Sequence, residues 1–175
     1  MRYALAAALI LTASAASAQT PYAGMQTRPI KALSPQQVGD LQAGRGMGLA
    51  LAAELNGYPG PSHVLELADK LGLSAEQRAG VQQLFDAMKR EALPVGAQLL
   101  AQETELDRQF AARVVTPESL KVVTAAIATT QGALRETHLK YHLSTVAVLT
   151  ESQRQRYSQL RGYGENNVGH QHRHN

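Results

Sequence analysis

Apolar positions along this chain recur at three- and four-residue steps, and no stretch alternates residue by residue as a half-buried strand does. The longest pattern starts after Ser74, with Val81, Phe85, Met88, Ala92, Val95 and Leu99, then Leu106 and Phe110. Only Gln102 or Glu103 interrupts it. A second run carries Leu120, Val123, Ile127, Thr130, Leu134, Thr137, Tyr141 and Val148. Alternating steps of four and three make the seam of a helix packed lengthwise on another. Between the runs, VVTPES at residues 114–119 is a turn, with Thr116 as cap and Pro117 at the first helical position. Two long helices and a short turn predict an antiparallel hairpin. Pro94 lies inside the first run, removes one backbone donor, and predicts a kink or a division near Leu93.

Shorter elements flank this hairpin. Residues 19–33 are polar and mixed, hold Pro21 and Pro29, and read as a loose arm. Ser34-Pro35 starts a helix that extends to Leu55, although Gly39, Gly44, Gly46 and Gly48 each cost it about 1 kcal/mol relative to alanine. NGYPGP at residues 56–61 is a break, followed by a short helix over 62–71. A last helix over 150–160 ends at Gly162, and residues 163–175 lack apolar periodicity and read as a disordered tail. The fold class is all-α, with one helical domain over 34–162. A lone hairpin has a single apolar seam that short helices cover only in part, which predicts pairing with a second copy as a homodimer.

The start of the chain belongs to a different category. Arg2 precedes an apolar run over residues 4–12, and Ala16-Ser17-Ala18 is a small-x-small cleavage site. That layout predicts a secretory signal peptide over 1–18, and no later stretch approaches the roughly 20 apolar residues of a membrane span. Losing Arg2 lowers the formal charge from +3 to +2. With so small a surplus, no Trp, two Phe and six Tyr, the chain offers neither a basic surface nor a stacking platform for nucleic acid. The absence of cysteine is compatible with an oxidising compartment and leaves no disulfide framework.

One hexapeptide occurs nearly twice, as LSAEQR at residues 73–78 and LTESQR at 149–154. Read locally, each is a capping box. The hydroxyl of Ser74 or Thr150 accepts from the N–H three residues on, and Gln77 or Gln153 reaches back to the cap's own N–H. Leu73 and Leu149 can pack on the core beside them. Two such boxes around a long hairpin, behind a leader, resemble the Spy/CpxP family of periplasmic proteins, known for its LTxxQ motif. Zinc-resistance-associated and heavy-metal-sensor envelope proteins look related. The resemblance covers roughly residues 41–164, with Ser74 in place of the first threonine and Pro94 as a further departure. It implies a cradle of two interlocked hairpins in the periplasm. It also implies one of two tasks: ATP-independent holding of unfolded envelope proteins, often coupled to a sensor kinase, or binding of heavy metals.

Candidate chemistry is sparse. His138 and His142 stand four apart on one helix face, the spacing of two ligands to one Zn, Cu or Ni ion. Two ligands do not complete a site. Further donors would come from His63, from a methionine such as Met25 or Met47, or from a partner chain. In the related sensors, the resemblance implies, a His-x-x-x-[His/Met] pair on the equivalent late helix contributes ligands. Against this stands a plain reading, with both rings at the seam edge, hydrogen-bonded or solvated. His170, His172 and His174 alternate in the tail and either capture metal or are simply solvated. No P-loop, G-x-S-x-G or H-E-x-x-H motif occurs, so the chain reads as non-enzymatic with no required cofactor. GRGMG at residues 44–48 reads as a flexible or closely packed helix segment. A client-binding face, resting on the resemblance, would use Met88, Lys89, Leu93, Leu100, Arg108 and Lys121.

Overall fold

The computed structural model describes residues 22–163, which contain six α-helices and no strand. In chain order these are α1 (Pro35–Gln42), α2 (Leu51–Glu54), α3 (Pro61–Glu66), α4 (Ala75–Ala111), α5 (Pro117–Val148) and α6 (Glu151–Arg161). The 37-residue α4 and 32-residue α5 pack on each other as the expected hairpin. Its turn holds Arg113 in a left-handed conformation at φ 56°. The seam positions Val81, Met88, Ala92, Leu99, Ile127, Thr130, Leu134, Thr137 and Tyr141 are all buried.

Pro94 does not divide α4, which is continuous through it. Of the expected kink or division, the division is corrected, and burial supplies the reason. Pro94 and Arg90, whose carbonyl loses its helical partner, are both exposed. Water can satisfy that carbonyl, so the lost hydrogen bond is not a buried one.

Three other expectations change. The helix expected over 34–55 stops at Gln42 and resumes only as the single turn of α2. Between them Gly44, Met47 and Gly48 take left-handed backbone (φ 65°, 45° and 78°), which a right-handed helix does not accommodate. The helix expected over 62–71 runs only through Pro61–Glu66 and is followed by turns. Residues 22–33 of the expected loose arm are packed: Ile30 is buried, Leu33 lies on the core, and Lys31 Nζ sits 3.1 Å from Asp107 Oδ2. The leader expected over 1–18 and the tail histidines lie outside the described residues.

The core has two centres. Leu41, Ala92, Leu99, Ile127 and Leu134 join α1 to the middle of the hairpin. Here α1 lies so close to α4 that a Cβ on Gly96 would sit 2.8 Å from the Leu41 carbonyl oxygen, so only glycine permits this approach. The second centre, Val64, Leu71, Val81, Leu149 and Tyr157, joins α3 and α6 to the hairpin's open end. All of the short helices therefore cover one part of the hairpin. Among the described residues, Phe110 and Leu120, expected in the seam, are exposed near the turn together with Val114 and Val122.

The two hexapeptides meet. Both capping boxes form: Ser74 and Thr150 accept from Gln77 and Gln153 N–H, and each glutamine Oε1 accepts from its own cap's N–H at 3.1 and 3.0 Å. The two side-chain amides also pair with each other. Gln77 Nε2 donates to Gln153 Oε1, and Gln153 Nε2 donates to Gln77 Oε1, both at 2.9 Å. Gln77 Nε2 further donates to the Val148 carbonyl at 2.9 Å. A glutamate could close either box, but it has no N–H for the pair. The repeat is thus a two-part clasp holding the start of α6 against the start of α4. In a denaturant-unfolding cycle of Gln77→Ala and Gln153→Ala, we expect a coupling of about 0.5–3 kcal/mol. Additive losses would show that the two boxes act separately.

One buried acid sits badly in this fold. Glu103 interrupts the α4 seam, is buried, and has no hydrogen bond or ion pair among the described residues. Burial pushes its carboxyl above the ordinary value of 4.5. Its ionisation therefore opposes folding: the penalty is absent below pH 4.5 and grows as pH rises toward the elevated value. Glu103→Gln is expected to raise the melting temperature by a few degrees at neutral pH, with the gain shrinking below pH 4.5. An equal shift at both pH values would mean that charge is not the cause.

Candidate metal-binding cavity

Between the two core centres, the hairpin and the short helices leave a cavity of about 580 Å³. Helix α4 contributes Phe85, Met88 and Lys89, and α5 contributes His138 and His142, one turn apart. The opposite wall is the glycine-rich segment after α1 together with Glu54 and the start of α3, including His63. Residues 44–48 are not a helix segment, as expected from sequence, but a chain of turns closing this wall. Two glycines make room for the imidazoles. A Cβ on Gly46 would come 3.3 Å from His138 Nδ1, and one on Gly60 would come 2.7 Å from His142 Nε2.

The rings differ in their partners. His142 Nδ1 lies 2.6 Å from the Tyr58 carbonyl oxygen, which can only accept, so Nδ1 carries the proton and Nε2 keeps its lone pair. His138 is 3 % exposed, and its buried Nε2 has no hydrogen-bond partner among the described residues. Burial, and secondarily the nearby His142, push His138 below its ordinary pKa and keep it neutral, the form that can ligate a metal.

Glu54 stands behind these rings. It is 5 % exposed and gathers donors from four directions. Gly60 N–H donates to Oε2 at 3.2 Å, while the Tyr157 hydroxyl and the Tyr163 hydroxyl (3.3 Å) donate to Oε1. His63 Nδ1 is 3.4 Å from Oε1, and His142 Nδ1 is 3.8 Å from Oε2. Arg161 Nε adds a positive charge 3.7 Å from Oε1. Burial alone would raise this carboxyl, but its hydrogen-bond donors, His63 and Tyr157 foremost and the Gly60 N–H with them, outweigh it and lower it to about 2. It is a fixed anion beside the histidines.

The structure thus brings His63, His138, His142 and Met47 to one cavity, where Met88 and Glu66 join them. Met25 does not line it. Their chemistry suits a borderline or soft cation, since imidazole and thioether are ligands for Zn, Ni and Cu. Yet among the described residues no group of three or more His, Asp or Glu side chains is arranged to hold an ion. Closing such a site would take side-chain movement, a thioether, or a donor from outside residues 22–163.

The proposed client face does not assemble as expected. Met88 is buried against the cavity, and Leu100 packs on the core. Lys89 lies over the Phe85 ring, 5.8 Å from its centroid. Arg108 makes two 2.7 Å hydrogen bonds to Glu105. Only Leu93 and Lys121 of the six are exposed without such partners. The heptad steps already place Met88 in the seam, and Leu100, next to the seam residue Leu99, is partly buried against the same core. Sequence reading missed Glu54, although its signal is visible: it is the only charge in the apolar run LALAAEL at 49–55.

An all-helical hairpin with short helices folded back over a histidine-lined cavity defines the class. The chain matches the family model described as heavy-metal resistance over residues 45–156, and it belongs to that family. No curated protein and no solved structure matches it. Among the described residues no helix is long and apolar enough to cross a membrane.

The glycine at the cavity wall gives a direct check. Gly60→Ala is expected to displace His142 and to lower stability by about 1–3 kcal/mol as an overpacked site. Gly132→Ala, in the interior of α5 with open space around it, is expected to stabilise by about 1 kcal/mol. Equal effects of the two substitutions on thermal unfolding would contradict this account of the wall.

Proposed function

We propose that this protein is a non-enzymatic, exported heavy-metal-binding protein whose cavity takes a Zn, Cu or Ni ion through His138 and His142. The observation that carries the reading is the buried Nε2 of His138, which has no hydrogen-bond partner among the described residues, on a ring that lines one cavity with His142, His63, Met47 and Met88. A buried polar atom without a partner is costly, and a bound cation would satisfy it. Membership of the heavy-metal resistance family supports the same reading. The further donors come from His63, from the thioethers, from His170, His172 and His174, or from a second copy of the chain. Periplasmic location follows from the leader expected over residues 1–18.

A second reading keeps the Spy/CpxP resemblance at its word: holding of unfolded envelope proteins, or docking to a sensor-kinase domain, by a homodimeric cradle. The exposed Phe110, Val114, Leu120 and Val122 near the hairpin turn favour it, because contiguous exposed apolar groups mark interaction sites.

Calorimetric titration of Zn, Cu and Ni into the chain beginning at Gln19, followed by sizing, tests the first reading. We expect saturable binding of at least one of these ions to the wild-type chain. We also expect loss of the tightest site in His138→Ala/His142→Ala, and a smaller loss in a chain ending at Gly164. No binding in any of the three removes the metal reading. A single-chain mass at every concentration, with and without metal, removes the second copy as a source of donors.

A further inference from the structure

We propose that Glu54 is a positioning residue for the metal donors: its two carboxylate oxygens face the Nδ1 atoms of His63 and His142, leaving Nε2 as the coordinating atom of each ring. This inference rests on the metal-binding reading above. The two rings flank one carboxylate, His63 against Oε1 at 3.4 Å and His142 against Oε2 at 3.8 Å. For His142 the Tyr58 carbonyl fixes the same tautomer at 2.6 Å. A carboxylate likewise only accepts, so His63 also places its proton on Nδ1 and keeps the Nε2 lone pair. Histidines that ligate metals commonly donate their other N–H to a carboxylate or a carbonyl, which sets the ring and raises its basicity.

Glu54 cannot easily turn to become a ligand itself. Oε2 is held by Gly60 N–H at 3.2 Å and Oε1 by the Tyr157 hydroxyl, with Arg161 alongside. Its charge stays beside the cavity, where it favours a cation over a neutral ligand. The competing account is that Glu54 only ties α2 to α6 through Tyr157, and then its effect on metal would follow stability alone.

Zn affinity of the chain from Gln19, measured by competition with a chromogenic chelator, separates the two accounts, together with ring-nitrogen NMR of the metal-free chain at mildly alkaline pH. We expect Glu54→Gln to weaken Zn binding by about 10–100-fold and to move His63 away from the Nδ1–H tautomer. Gln153→Ala, which opens the clasp and touches neither Glu54 nor a proposed ligand, should lower the melting temperature but leave Zn affinity within about threefold. In a His63→Ala background the effect of Glu54→Gln should shrink, since part of it acts through that ring. A folded Glu54→Gln with wild-type Zn affinity overturns the proposal. So does an Nε2–H tautomer at His63 in the wild-type spectrum, a measurement that needs no variant to fold. If the wild-type chain binds none of Zn, Cu and Ni, the metal reading falls by itself, and the tautomers still decide whether Glu54 sets the rings.

Discussion

A carboxylate removed from water has to be matched by donors from whatever surrounds it, because an unpaired buried charge is among the costliest features a fold can hold. Glu54 meets that demand with the start of α3, the end of α6 and a ring from α5. Satisfying one anion therefore fixes the relative positions of four short or late elements. It also explains why those elements leave a polar-edged cavity where a continuous apolar core would otherwise run. The cavity lies where the two core centres stop, with His138 and His142 on the hairpin side and His63 on the side of the anion.

The hairpin imposes the second constraint. Two helices of this length share a seam longer than the short helices can cover, so α1, α3 and α6 concentrate on one part of it. The Gln77–Gln153 amide pair holds one end of that covered region, and the close approach at Gly96 holds the other. The chemistry sits where the cover is thickest, and the apolar residues near the turn are left in water. Metal binding and partner contact would thus occupy different ends of the same hairpin.

Much of this was legible in the residues. Heptad steps identified the seam down to Thr130 and Thr137, because burial in a helical hairpin is periodic and periodicity is local. Cap chemistry was equally readable, since a box closes over four residues. The pairing of the two boxes was not. It joins amides 76 residues apart, and only the return of α6 to the start of α4 brings them together. The division expected at Pro94 failed for a related reason: the carbonyl left without a partner belongs to the exposed Arg90, and exposure is not written in the local sequence. For the client face, side chains chosen by type were redistributed by packing, with Met88 and Leu100 drawn inward.

By itself, then, the sequence determined the helical class, the hairpin, the caps and the pair His138–His142, all of which follow from contacts within a turn or two of the chain. The tertiary structure alone decided that His63 and Met47 join that pair, that a glycine-rich stretch becomes a cavity wall, and that Glu54 anchors the histidines. Those outcomes depend on contacts between residues far apart in sequence, as with Glu54 and Tyr157 across 103 residues. Such contacts arise from the shape that remains once the helices have packed. Neither periodicity nor local propensity encodes that shape.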